Sequence, residues 1–117
     1  MSPEEAVALA ADVADEGMRR GELPIGAVVL DGDAVIGRAH TGEKGLGRRI
    51  VHADPLAMIE ADEFLGKGRS AGPLTLAVNL EPCIMCLGAA ITLGVRRVWY
   101  GLESPDDGGA ELLVAAG

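Results

Sequence analysis

Apolar residues recur at Val7, Ala10, Ala11, Ala14 and Met18, the three-to-four spacing of one buried helix face. Ser2, Pro3 and Glu5 supply an N-cap, a proline for the first helical position and a capping-box acid at the third. Arg19 and Arg20 fill the last turn, and Gly21 suits a left-handed cap. The period then changes. Ile25 to Leu30 is an apolar run, Asp31-Gly32 is a two-residue hairpin signal, and Asp33 to His40 continues with Val35 and Ile36, which predicts two antiparallel strands. Thr41 to Val51 holds three glycines and no periodic pattern, a loop of a length that is more often functional than merely connecting.

After His52, the residues Leu56, Ile59, Ala61 and Phe64 predict a second helix from Pro55 to about Leu65, with Asp54 as N-cap and Gly66 and Gly68 closing it. Leu74 to Leu80 reads as a strand. Cys83 to Leu93 reads as a third helix with Pro82 at its first position and Gly94 past its end, and Val95 to Gly101 as a fourth strand. A strand, a helix and a strand within about 30 residues make a parallel unit with a right-handed crossover. The expected fold class is therefore α/β, a three-layer α/β/α sandwich around a mixed four-stranded sheet. Beyond Pro105 an acidic, glycine-rich stretch precedes a short apolar run, Leu112 to Ala116, that stops abruptly, and a fold cut short at this end is the expectation.

The length of 117 residues fits one domain, residues 1–117, and a core large enough to need no disulfide framework. Two cysteines then call for another role. No run approaches the roughly 18 apolar residues of a membrane span, and the N-terminus carries acids where a signal peptide carries bases, so a soluble, cytoplasmic protein is expected. Eighteen acidic against ten basic residues give a formal charge of −8, a poor match to phosphate backbones. Phe64, Trp99 and Tyr100 are the only aromatic residues, too few to stack successive bases. Arg48 with Arg49, and Arg96 with Arg97, are the basic pairs on which a local patch could form.

Cys83 and Cys86 are spaced C-x-x-C at a helix start, where both sulfurs share a face and the helix dipole favours thiolate. Redox dithiols and zinc half-sites both begin helices this way. Ile84 and Met85 between the cysteines and Pro82 before them favour the metal. Zinc with two thiolates takes a further protein ligand, often imidazole, and a catalytic site keeps its fourth position open. His52 is the candidate; His40, at a strand end, has no companion in a ligand pattern.

His52-Ala53-Asp54 followed by Pro82-Cys83-Ile84-Met85-Cys86 resembles the H-x-E and P-C-x-x-C signature of the zinc-dependent cytidine and adenine deaminase superfamily. Leu23 to Val28, Val35-Ile36-Gly37, Leu80-Glu81, Gly88-Ala89 and Arg96-Arg97-Val98 extend the resemblance, from about residue 3 to residue 101, toward the branch of bacterial tRNA adenosine deaminases and guanine or cytosine deaminases. It implies a cytidine deaminase-like fold and a zinc ion held by His52, Cys83 and Cys86, whose bound water attacks the amino-bearing carbon of a base and releases ammonia. It also implies substrate contacts from Thr41, where relatives carry an asparagine, and from the backbone N–H of Ala53.

The chain departs from the pattern at one place: the family's proton-shuttling glutamate is Asp54, shorter by one methylene, about 1.5 Å of reach. Three readings stand open. Asp54 is the general acid/base, or it is only a helix cap in a zinc-bearing pseudoenzyme, or the change is engineered or compensated by another acid such as Glu81. The acidic charge and short chain favour a small-molecule substrate, a free nucleobase, nucleoside or analogue. The alternatives are adenosine in tRNA and a non-catalytic zinc-stabilised domain. A homodimer is the assembly that the resemblance implies.

Overall fold

The computed structural model describes residues 1–43, 51–66 and 72–103. Helix α1 (Pro3–Arg19) opens as its sequence dictates: the Glu5 N–H donates to Ser2 Oγ and the Ser2 N–H to the Glu5 carboxylate, both at 3.1 Å. Gly21 follows the helix at φ 85°, relieving the left-handed turn a side chain would resist. Strands β1 (Gly26–Asp31) and β2 (Ala34–His40) form the expected hairpin, but the two turn residues are Gly32 and Asp33 rather than Asp31 and Gly32. Gly32 takes φ 61° at the first central position, as a type II′ turn requires, and Asp31 is freed to pair with Ala34.

Helix α2 (Ala53–Leu65), strand β3 (Leu74–Leu80), helix α3 (Ile84–Leu93) and strand β4 (Val95–Leu102) complete the described elements. The sheet order is β2-β1-β3-β4, with β1 antiparallel to both neighbours and β4 parallel to β3. This is the mixed α/β sheet expected. Residues 26–30 of β1 and 74–78 of β3 are buried on both faces, as central strands of a covered sheet must be. Ala6 and Val13 of α1 pack with Val28, Leu30 and Ala77 on one face. Ala53, Ala57, Met58 and Ala61 of α2 and Ala90 of α3 pack with Val29, Leu76 and Val78 on the other.

Three local expectations are corrected. Helix α2 starts at Ala53 with His52 as N-cap, so Asp54 is the second helical residue and not the cap. Pro55 is still within the first turn, where no N–H has an intrahelical partner, so it ends nothing. Helix α3 is capped by Cys83, and Pro82 stands outside it. The buried face of α2 is made of alanines with Met58 and Leu65, whereas Ile59 and Phe64 are exposed. The reason lies in β2: a Cβ on Gly37 would sit 2.1 Å from the Ala57 carbonyl, so helix and strand touch backbone to backbone and only small side chains fit between. Arg48, Arg49, Gly68, most of the Thr41–Val51 loop and the run from Leu112 to Ala116 lie outside the described residues.

Candidate active site

Two helix N-termini meet beside the sheet, and each is capped by a residue with a metal-binding side chain. His52 caps α2 and Cys83 caps α3, both in extended backbone and neither with a side-chain capping bond to its helix's backbone. Their donor atoms turn instead toward each other. His52 Nδ1 lies 3.8 Å from Cys83 Sγ and 3.6 Å from Cys86 Sγ, and the sulfurs are 3.5 Å apart. Cap and third helical residue share a face, so Cys86 joins Cys83 by helix geometry alone.

These distances test the zinc expectation. An ion bonded tetrahedrally at about 2.3 Å to sulfur and about 2.0–2.1 Å to nitrogen holds its donors roughly 3.5–3.8 Å apart, the spread observed here. Charge tells the same story. Burial, with Asp54 and Cys83 beside it, pushes the Cys86 thiol far above its ordinary range, so without a cation the site cannot hold its anions. A coordinated dication reverses that balance and deprotonates the thiols outright. Among the described residues His52, Cys83 and Cys86 are the group that can hold a metal, and His40 is not part of it. His40 packs against Gly17, and its Nδ1 lies 2.8 Å from the Thr41 carbonyl.

Asp54 is 3% exposed on the first turn of α2. It accepts from its own N–H and from the Cys86 thiol, while its Oδ2 is buried without a partner. Desolvation raises its pKa from an ordinary 3.8 to about 6, against the smaller opposing effects of those bonds and His52. A cavity of about 120 Å³ opens onto these groups, lined by Thr41, Glu43, His52, Ala53, Asp54, Glu81 and both cysteines. It is smaller than the roughly 300–1,000 Å³ of drug-sized sites and suits a single ring system.

The structure brings every predicted site residue to this cavity. Ala53 is fully buried as the first residue of α2, where its N–H has no intrahelical partner. Thr41 is also buried, but its hydroxyl donates to the Val51 carbonyl at 3.1 Å, so only its lone pairs stay available to a ligand. Sequence reasoning missed Glu43. It stands in an aperiodic loop, and the one signal was an acid two residues beyond Thr41; in space its Oε1 lies 3.2 Å from His52 Nε2.

The model of the cytidine and deoxycytidylate deaminase zinc-binding region matches residues 1–102. A tRNA-specific adenosine deaminase of Streptococcus pyogenes serotype M18 is 35% identical over 100 residues, 86% of this chain and 62% of the relative. A solved structure from studies of A-to-I editing by tRNA:A34 deaminases at the wobble position of transfer RNA superimposes with TM-score 0.80 at 35% identity, covering 92% of this chain and 82% of the other. Guanine deaminase from Bacillus subtilis gives TM-score 0.78 at 29% identity, covering 96% and 70%. The chain spans about six tenths of the length of the curated relatives it matches. The chain belongs to the cytidine and deoxycytidylate deaminase family and carries that family's zinc-binding region.

Proposed function

From that membership we propose that the protein is a zinc-dependent hydrolytic deaminase whose substrate is adenosine presented by tRNA, with His52, Cys83 and Cys86 holding the metal and Asp54 moving the protons. The observation that carries the reading is the unpartnered Oδ2 of Asp54, buried at the cavity beside the His-Cys-Cys cluster. A buried acceptor left unsatisfied costs free energy unless a ligand completes it. Zinc bound there supplies the Lewis acidity that makes water nucleophilic near neutral pH. Asp54 would take one proton from the water as its oxygen adds to the amino-bearing carbon and pass it to the ring nitrogen; it would then take the second proton from the new hydroxyl and give it to the amine, so that C=O forms as the C–N bond breaks and ammonia leaves. The N–H of Ala53 and the lone pairs of Thr41 hold the base.

The choice of tRNA rests on the two similar tRNA deaminases above and on one feature of the chain. Lys44, Arg48 and Arg49 lie in sequence between Gly42 and Val51, whose backbones are hydrogen-bonded at 2.9 Å next to the cavity-lining Thr41, Glu43 and His52. The second reading is a free purine base, favoured by the net charge of −8 and by the similarity to guanine deaminase. A cytoplasmic homodimer belongs to the same proposal. Its support is the apolar groove between α2 and α3, lined by Pro55, Met58, Ile59, Ala89 and Leu93, and light scattering tests it. Among the described residues no helix is long and apolar enough to cross a membrane.

The test is ammonia release by zinc-quantified protein offered tRNA, nucleosides and free bases in parallel. Turnover of tRNA that falls steeply with salt, and that drops about 10²–10⁴-fold in Asp54→Asn, is expected. Turnover confined to free bases transfers the assignment to the second reading. Silence across the panel from protein carrying one zinc per chain overturns catalysis.

A further inference from the structure

We propose that Glu43 is the positioning residue of the metal centre: its carboxylate accepts from His52 Nε2–H and so fixes the imidazole with Nδ1 aimed at the sulfurs of Cys83 and Cys86. The inference rests on the zinc site described above and adds a residue that no part of the H-x-E and P-C-x-x-C pattern contains. Imidazole has two nitrogens, and in its neutral form the one that carries the proton cannot ligate. In this structure the nitrogens are divided. Nδ1 faces the two sulfurs at 3.6 and 3.8 Å, and Nε2 faces Glu43 Oε1 at 3.2 Å. A carboxylate at Nε2 holds the proton there, orients the ring and raises the basicity of Nδ1 toward a cation.

The local backbone is built to hold that pair. The Val51 carbonyl accepts twice, from the Gly42 N–H at 2.9 Å and from Thr41 Oγ1 at 3.1 Å. Glu43 is the next residue after the first donor, and His52 the next after the acceptor, so the clasp sets the two side chains opposite each other. The Thr41 N–H donates in turn to the Ile25 carbonyl at 3.0 Å, which ties the clasp to the chain entering β1. Both side chains are about seven-tenths buried, so water competes poorly for the Nε2–H. Thr41 thereby acquires a role independent of any base contact.

The experiment measures zinc dissociation constants by competition with a chromophoric chelator, for the full chain and for Glu43→Gln and Glu43→Ala. Cobalt-substituted spectra and ¹⁵N histidine spectra are recorded on the same proteins. Glu43→Ala is expected to bind zinc about 10–100-fold more weakly, to lose the slowly exchanging Nε2–H of His52 and to shift the cobalt bands. Glu43→Gln, whose amide oxygen still accepts but carries no charge, is expected between that variant and the parent. Thermal melts of the metal-free proteins verify folding, and if Glu43→Ala melts early then Glu43→Gln carries the comparison. Zinc affinity within twofold of the parent in the folded variants, with unchanged cobalt and histidine spectra, overturns the proposal. Since metal affinity is read without any substrate, a zinc-loaded protein that deaminates nothing refutes the proposed function and leaves this inference standing.

Discussion

In the metal-free protein, replacing Asp54 by Asn changes stability in a pH-dependent way whose size follows from the structure. Folding raises the carboxyl from 3.8 to about 6 because the group loses water on entering a site where only 3% of the residue stays exposed. A folded-state pKa above the unfolded one means that the native protein prefers the protonated acid. The stability this contributes is fully present below about pH 3.8 and is lost as pH rises through about 6. A pKa difference of about 2 corresponds to about 3 kcal/mol, a large share of the stability of a small domain. Asparagine has no such titration. The constant costs of its amide cancel when the difference between the two proteins is followed against pH, as do shifts common to both, such as those of Glu5 and Glu16. Urea unfolding with a chelator present, from pH 4 to 8, is therefore expected to show Asp54→Asn gaining on the parent by up to about 3 kcal/mol, most of it between pH 4 and 7. With zinc bound the gain shrinks, because the dication favours the carboxylate. A difference that stays flat across the range, or falls with pH, refutes the burial argument.

Three further outcomes are expected. Cys86→Ser, which removes the buried thiolate, abolishes stoichiometric zinc in dialysed protein, and retention of one zinc per chain contradicts the assigned ligand set. Gly37→Ala forces a methyl against the Ala57 carbonyl; it costs about 1–3 kcal/mol by denaturant midpoint and weakens zinc binding by displacing α2, and a neutral result shows that β2 and α2 separate freely. Asp54→Glu raises turnover by restoring the reach of the family's usual acid, whereas a fall shows a pocket shaped around the shorter side chain.

Most of the fold was readable because local rules and burial agree. The capping box before α1, the two apolar runs around Asp31-Gly32 and the β3-α3-β4 crossover each have a sequence signature, and each formed. What was misread lay where two local rules compete. Asp before Pro marks a helix boundary by backbone preference, yet the first turn tolerates proline, and tertiary contact of Ala53 with the sheet decided for the earlier start. The apolar face of α2 was misassigned because size mattered more than hydrophobicity: Gly37 admits alanines and turns Ile59 and Phe64 outward. The metal-holding group His52, Cys83 and Cys86 was readable from the motif spacing, but its neighbour Glu43 was not. An acid in an aperiodic loop carries no periodicity, and its meaning arises only when the Val51 clasp closes.

The departure at Asp54 takes on a different weight once the site is seen as a charge balance. Two cysteine sulfurs, the Asp54 carboxylate and the Glu43 carboxylate converge on one imidazole and two positive helix ends. Burial pushes the Cys86 thiol up, with Asp54 and Cys83 beside it adding to the effect, and burial pushes the aspartate toward neutrality against the pull of His52. A site meant only to cap a helix has no use for this arrangement, since a solvent-facing Ser or Asp caps at no such cost. The cap position is in fact held by His52, which makes no capping bond. The arrangement becomes favourable when a dication enters, and the same entry leaves Asp54 with one oxygen that the protein does not use. Asp54 holds the place in the chain of the family's glutamate, and on the proposed reading its shorter side chain serves as the proton carrier when the substrate is small enough at its reacting end to come to it. The 120 Å³ cavity sets that condition. On the proposed reading it takes one base at a time, whether free or turned out of an RNA strand, and the rest of any larger substrate lies outside it.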